Sequence, residues 1–282
     1  MTEARENLRA ITYLSPSLPV ELFETILEYL EEVTGRDGYL TYESRWSGPP
    51  KDRVDPFTSN LADIGFMSST DFLRMAKDGN KSVVLCGAGA VFNHKKNTGR
   101  PVYYSDVIIN ARNKSKYKEL HDLRGHILGF TDKSSLSSCV SVLDYLKKQG
   151  ADASFFSDTY LSGSHIGLIK SVLDGRVDVA AVDSNALHGF LTQHPNHVDD
   201  VHVINSFGPL PTYPIVLSAK MSEDLQAKIT KALLDVSKNT TWSRRLAQYN
   251  VTGFVQTDSS LYDLETDLVT GIGKLTMSST YY

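Results

Sequence analysis

Four serines follow a short apolar segment in a spacing that is typical of a site for a small oxyanion. Ile127–Phe130 is predicted to be a strand, and the serines come soon after it, at Ser134, Ser135, Ser137 and Ser138. Apolar residues then recur at helical spacing up to Gly150. The first N–H groups of a helix have no partner within it, and the helix dipole favours negative charge there.

Each of these serines also has an ordinary alternative role. Serine is a common N-cap residue, so caps and loop positions would explain the same pattern without a ligand. As ligand contacts, Ser135, Ser137 and Ser138 would donate charge-assisted hydrogen bonds to anion oxygens. Leu136 lies among them and can offer only its backbone N–H.

A second polar segment and one buried acid add further candidates. Ser162-Gly-Ser-His165 opens a predicted helix, where His165 is either a donor to an anion or a polar cap. Asp183 follows the apolar strand Val177–Val182, so it is either the N-cap of the next helix or a ligand contact.

Composition excludes several classes of function. The 282 residues are 41% hydrophobic and 22% charged with a net charge of −4, which is typical of a globular protein. Lys and Arg form no basic stripe, so nucleic acid is not expected as a partner. No apolar segment is long enough for membrane insertion. We expect no metal and no cofactor, and Cys86 and Cys139 are predicted to be free, buried thiols.

The N-terminal segment leaves the localisation open. Met1–Ala10 is polar and lacks the basic and apolar regions of a secretory signal. The chain as given is therefore expected in the cytoplasm, or outside it if a signal has been removed. A monomer is expected.

The order of predicted elements indicates an α/β protein with helices covering a mostly parallel sheet. Residues 206–214 are predicted to be a loop, and the chain after residue 222 is predicted to be mostly helical. No linker separates two independent halves. We therefore expect a discontinuous arrangement, with lobe 1 at 1–106 plus 206–282 and lobe 2 at 107–205, and a ligand cleft between the lobes.

Several segments, in order along nearly the whole chain, resemble one family. The segments are Ala62-Asp-Ile-Gly-Phe66, Gly99–Ile109, Asp122-Leu-Arg-Gly125 with Ser134–Ser138, Ser162–His165 with Val172–Ser184, and Pro211–Val216. They resemble the substrate-binding proteins of phosphate, phosphite and phosphonate ABC importers. The resemblance implies the two-lobed fold of type 2 periplasmic binding proteins, with mixed sheets flanked by helices.

The resemblance also implies a set of ligand contacts. It assigns the head group to the serine loop and to His165, and a tyrosine contact to one of Tyr103 and Tyr104, of which we favour Tyr104. Adjacent strand residues face opposite sides, so only one of the two can reach the ligand. In lobe 1 the corresponding candidates are Ser15, Ser68 and Ser69.

Two positions depart from the family pattern. Leu136 stands where many members have Thr, which removes one hydroxyl donor. Tyr213 stands where an acid would hold the amino group of an aminoalkylphosphonate, a role for which Asp183 is the other candidate. A ligand with an apolar or neutral tail, or a simple oxyanion, is therefore expected.

The leading hypothesis is non-catalytic binding of a small anionic ligand with hinge closure of the two lobes. The protein would serve an ABC permease if it is exported, or act as a soluble sensor or carrier. The alternatives are an enzyme on the same fold, such as those of thiamine-precursor synthesis, and a repurposed interaction module. No Gly-x-Ser-x-Gly motif or reactive Lys or Cys motif is present, so no catalytic residue is expected.

Overall fold

The computed structural model describes residues 6–14 and 18–276. The strands are β1 (Asn7–Tyr13), β2 (Asp37–Glu43), β3 (Ile64–Phe66), β4 (Val83–Leu85), β5 (Ala88–Phe92), β6 (Val102–Asn110), β7 (Ile127–Phe130), β8 (Asp158–Leu161), β9 (Val179–Asp183), β10 (Val201–Pro211), β11 (Ile215–Ser218) and β12 (Val251–Gln256). The helices are α1 (Val20–Thr34), α2 (Ser69–Lys77), α3 (Ser141–Lys148), α4 (His165–Leu173), α5 (Ser184–Gln193), α6 (Glu223–Asp235), α7 (Thr240–Ala247) and α8 (Asp263–Ile272).

These elements form two compact units. Of the described residues, the first unit contains those up to Pro101 together with Pro211–Tyr262, and the second contains Val102–Leu210 together with those from Asp263 on. No helix of the described residues has both the length and the apolar character that a membrane span requires. Cys86 and Cys139 are free and buried, as expected from the sequence.

The first unit is built on a five-stranded sheet in the order β2-β1-β3-β11-β4. The first three strands are parallel, and β11 runs antiparallel to both β3 and β4. Helices α1, α6 and α7 contribute to one apolar core with this sheet, which includes Phe23 packed on Phe66. The prediction of mixed sheets flanked by helices is confirmed.

The second unit has a five-stranded sheet in the order β10-β6-β9-β7-β8. Strands β7, β8 and β9 are parallel, and β6 is antiparallel to β9. Helix α4 lies close against β7, where a Cβ on Gly129 would meet Leu168 Cδ2 at 2.8 Å. Because three parallel strands are each followed by a helix, three helix N-termini lie at their carboxyl ends.

The division of the chain differs from the predicted lobes in three respects. The return to the first unit comes after Leu210 and not after residue 205. The first transfer to the second unit comes before Val102, because Ser105–Ile109 of β6 pair with β9. Helix α8 belongs to the second unit instead of the first, and Lys147 Nζ of α3 donates to the Gly271 carbonyl at 2.6 Å. Amphipathic periodicity predicts a helix but does not say which surface it packs on.

One secondary-structure prediction was wrong, and one strand was not predicted. Residues 206–211, predicted as a loop, continue strand β10. This strand lies at the edge of its sheet, where Gly208 and Pro209 are tolerated. The C-terminal region also contains β12, which pairs with β5 in an antiparallel ribbon. Its pattern is obscured by Gly253, where the register shifts.

Substitution in the core of the second unit should destabilise it strongly. Leu168 is fully buried with β9 and α5 residues, so Leu168→Ala should lower the free energy of unfolding by about 2–5 kcal/mol. Leu161 is 63% exposed, so Leu161→Ala should change it by less than about 0.5 kcal/mol. Urea titration followed by circular dichroism measures both, and equal effects would contradict this core assignment.

Candidate functional site

The candidate site lies in the second unit, at the carboxyl ends of β7, β8 and β9. A helical segment from Leu136 follows β7, α4 follows β8, and α5 follows β9. The loops after β7 and β8 are joined, because Gly163 N–H donates to the Thr131 carbonyl at 3.2 Å. The carboxyl edge of a parallel sheet, where helix N-termini meet, is the usual location of ligand sites in α/β folds.

The helix after β7 begins with a π-helical turn, Leu136–Val140, which leads directly into α3. Ser135 is its N-cap, and its Oγ accepts from Ser138 N–H at 3.2 Å. The Ser135 carbonyl accepts from the N–H groups of Cys139 and Val140, both at 3.0 Å. Within the described chain, no acceptor pairs with the N–H of Leu136 or Ser137. Two backbone donors are therefore available to an anion.

The serines of this loop divide into different roles. Ser138 Oγ contacts Thr131 Oγ1 at 2.7 Å and accepts from Thr131 N–H, which joins the turn to the end of β7. Ser134 Oγ donates to Asp132 at 2.6 Å. Ser137 Oγ instead lies 3.4 Å from His165 Nε2. Ser137 is thus the loop serine whose hydroxyl faces the histidine.

His165 is buried at the first position of α4, and its two ring nitrogens face different partners. Asp183 N–H donates to Nδ1 at 3.3 Å. Because Nδ1 is an acceptor, the neutral ring carries its proton on Nε2, which lies toward Ser137. Burial lowers the pKa of His165 to about 4, so that the imidazole is neutral at pH 7.

Tyr103, on β6, also contacts this group. The Tyr103 side chain is buried and hydrogen-bonded to Ser137. Burial is the main reason that the pKa of Tyr103 is raised well above its usual value, and the carboxylates of Asp183 and Glu265 raise it further. The phenol is therefore a neutral group that can donate.

Tyr104, favoured in the sequence analysis, lies on the other face of β6. A Cβ on Gly208 would meet Tyr104 Cδ1 at 3.0 Å, which places this ring against β10. Its backbone N–H donates to Ser184 Oγ at 2.9 Å. The alternation of strand side chains thus brings Tyr103, and not Tyr104, to Ser137.

Asp183 is the N-cap of α5, one of the two roles considered for it. Its Oδ1 accepts from the N–H groups of Asn185 at 2.7 Å and Ala186 at 3.1 Å. The residue is almost completely buried. Through its own N–H, Asp183 also holds His165, so this strand end orients the imidazole.

The first-unit candidates lie at the ends of other strands. Ser68 is the N-cap of α2, and its Oγ accepts from Asp71 N–H at 3.1 Å. Ser69 is buried beside it at the first position of the helix. Tyr213 is half-buried just before β11, and its ring meets that of Phe92 edge-on, with 6.0 Å between the ring centroids. Ser15 lies outside the described residues.

Sequence reasoning missed several supporting groups. Thr131 and Ser164 hold the two loops, and Ser164 Oγ accepts from Gly167 N–H at 3.1 Å as the N-cap of α4. Ser105 of β6 donates to the Ser137 carbonyl at 2.6 Å. The available signal was a serine inside a predicted strand, two residues after Tyr103.

The chemistry of this group is hydrogen-bond donation. The described residues contain no cluster of three or more His, Cys, Asp or Glu side chains that could hold a metal ion. Ser137 Oγ, His165 Nε2 and the two backbone N–H groups are neutral donors at a helix N-terminus. Such an arrangement stabilises an oxyanion without a cation of its own.

Residues 9–262 match a protein family described as the periplasmic substrate-binding protein of a phosphonate ABC transporter. The chain belongs to this family. Its members are binding proteins, so the expectation of a non-catalytic binding protein is confirmed at this level. A search of curated proteins gives no match.

Solved structures share the fold at low sequence identity. A binding protein of an ABC phosphonate transporter from Pseudomonas aeruginosa has a TM-score of 0.76 and 19% identity, over 95% of this chain and 87% of the other. PhnD1 from Prochlorococcus marinus, in complex with methylphosphonate, has a TM-score of 0.75 and 13% identity over 96% and 99%. The periplasmic aliphatic sulphonate binding protein SsuA from Escherichia coli has a TM-score of 0.61 and 16% identity over 99% and 94%. The predicted type 2 binding-protein fold is confirmed.

The buried neutral histidine should make the stability depend on pH. The pKa of His165 in the folded protein, about 4, lies below the ordinary histidine value of 6.5, so the unfolded chain binds more protons between these two pH values. The free energy of unfolding should therefore fall as the pH drops from 6.5 to 4, by about 3 kcal/mol from this residue. Urea titrations at pH 7, 5.5 and 4.5 measure this loss.

The contribution of His165 is isolated by substitution. His165→Gln should flatten the pH dependence of the free energy of unfolding. His202→Gln, at an exposed position, should leave this pH dependence as in the wild type. The assignment fails if both variants keep the same slope.

Proposed function

We propose that the protein binds a small ligand, phosphonate-like or phosphate-like, through its oxyanion head group without chemical conversion. The observation that supports this most directly is the convergence of the Ser137 hydroxyl, His165 Nε2 and the N–H groups of Leu136 and Ser137. These two N–H groups have no acceptor among the residues that the structure describes. All lie where three helices begin.

The neutral state of the donors bears on the type of anion. His165 carries no positive charge at pH 7, so the head group is held by directed hydrogen bonds and by the helix dipole. A tetrahedral head group with several oxygens can accept from all of these donors at once. Phosphate, phosphonates and sulfonates share this geometry.

The proposed tail is small and neutral or apolar. In the first unit, the aromatic side chain of Tyr213 occupies the position where an acid is expected for an aminoalkyl ligand, and it contacts Phe92. Two structural relatives are described with methylphosphonate and with aliphatic sulphonates, which are small organic anions. We therefore favour an alkylphosphonate over an aminoalkylphosphonate.

Family membership supports a role beside an ABC permease. The candidates of the first unit, Ser68, Ser69, Tyr213 and Ser15, are proposed as further ligand contacts. Closure on the ligand by hinge motion stays a prediction, as does the monomeric state. A cytosolic sensor or carrier would use the same head-group contacts.

Calorimetric titration with phosphate, phosphite, methylphosphonate, 2-aminoethylphosphonate, sulfate, methanesulfonate and acetate tests the ligand class. Methylphosphonate or phosphate should bind the wild type. Ser137→Ala should weaken the binding of that ligand by about 10- to 100-fold, because a charge-assisted hydrogen bond contributes about 1.5–3 kcal/mol. His165→Leu should weaken it at least as much.

Ser134→Ala is the matched control. Ser134 belongs to the same loop, but its hydroxyl is hydrogen-bonded to Asp132. The affinity of the Ser134→Ala variant for the ligand should therefore equal that of the wild type. Failure of every anion to bind the wild type would refute the proposed ligand class. Equal losses for Ser134→Ala and Ser137→Ala would refute the assigned contact.

The non-catalytic role predicts that the ligand is released unchanged. After prolonged incubation with stoichiometric protein and denaturation of the complex, the phosphorus NMR spectrum should show only the ligand that was added. Conversion that scales with protein concentration, and that disappears in Ser137→Ala, would point to the enzyme alternative.

A further inference from the structure

Strand β6 carries a hydroxyl group that contacts the backbone of the candidate site. Ser105 is completely buried, and its Oγ donates to the Ser137 carbonyl at 2.6 Å. Asp106, which follows it, is also buried, and the next residues, Val107–Ile109, are apolar and buried. A buried polar side chain has an energetic cost unless it is paired, and the Ser105 hydroxyl is paired with the backbone carbonyl of Ser137.

Ser105 acts together with Tyr103. The two residues lie on the same face of β6, because strand side chains alternate. Tyr103 is hydrogen-bonded to Ser137, and Ser105 to the Ser137 carbonyl. Strand β6 therefore holds Ser137 through two of its side chains.

Ser105 also lies beside the residue that orients the histidine. It is the register partner of Asp183 across the β6–β9 pair, and Asp183 N–H donates to His165 Nδ1. Ser137 is thus bonded to Ser105 of β6, and His165 is bonded to Asp183, its neighbour on β9.

We propose that Ser105 is a positioning residue for ligand binding, which fixes Ser137 against His165 without touching the ligand. This inference rests on the proposed function for its effect on affinity. Without the Ser105 hydroxyl, the carbonyl of Ser137 loses its link to β6, and the π-helical turn can shift. The Ser137 donors then no longer meet the head group together with His165.

Ser105→Ala tests this role in calorimetric titrations with methylphosphonate and with inorganic phosphate. We expect the dissociation constant to rise on the order of tenfold, the equivalent of one hydrogen bond. Ser141→Ala is the matched control, since Ser141 is buried and its Oγ donates to the Leu136 carbonyl at 2.8 Å. That carbonyl keeps a second bond from the Ser141 N–H, so the affinity should change less than twofold.

A second measurement does not need a ligand. In protein labelled with nitrogen-15 at histidine, the Nε2 resonance of His165, assigned with His165→Gln, reports on its contact with Ser137. Ser105→Ala should shift this resonance in the ligand-free protein, and Ser141→Ala should leave it in place.

The outcomes separate the two proposals. If no probe binds the wild type, the proposed function fails, and the nitrogen resonance alone decides the role of Ser105. An unchanged resonance in folded Ser105→Ala overturns the positioning role. Equal losses of affinity in Ser105→Ala and Ser141→Ala also overturn it, because both variants would then act only through general stability.

Discussion

The site depends on one constraint, which is that the first N–H groups of a helix cannot be satisfied within that helix. In the second unit this constraint operates at the ends of three adjacent parallel strands. Asp183 accepts from the second and third N–H groups of α5, and Ser164 accepts from the third N–H group of α4. Ser135 accepts from the N–H group of Ser138. Among the described residues, no acceptor pairs with the N–H groups of Leu136 and Ser137, which supports their proposed role as donors to a ligand.

Burial then determines the chemical state of the side chains at this point. Imidazole and phenol groups lose hydration when they are buried, so His165 and Tyr103 are both neutral. Neutral donors favour recognition by geometry, because each hydrogen bond has a direction that a charge does not have. This explains how the group can suit an anion although its side chains carry no positive charge.

The supporting hydroxyls have a different task from the donors. Thr131, Ser138 and Ser105 use their hydroxyls to join the helical turn to the strands on either side. These three residues are buried, and the hydrogen bonds of their hydroxyls described above are all to other groups of the protein. A loop rich in serine is thus divided between residues that build the loop and one residue whose hydroxyl is directed at the histidine.

The amino-acid sequence alone determined the α/β class, the serine-rich helix start, the candidacy of His165 and the resemblance to binding proteins. These features are local, since strand and helix periodicity, capping residues and motif order are all readable within short segments. The tertiary structure decided the contact of Tyr103 with Ser137, the capping role of Asp183, the hydrogen bond from Ser105 and the packing of α8 on α3. Each depends on strand register or on helix packing between residues far apart in the chain, and no local pattern records which face of a strand meets which helix.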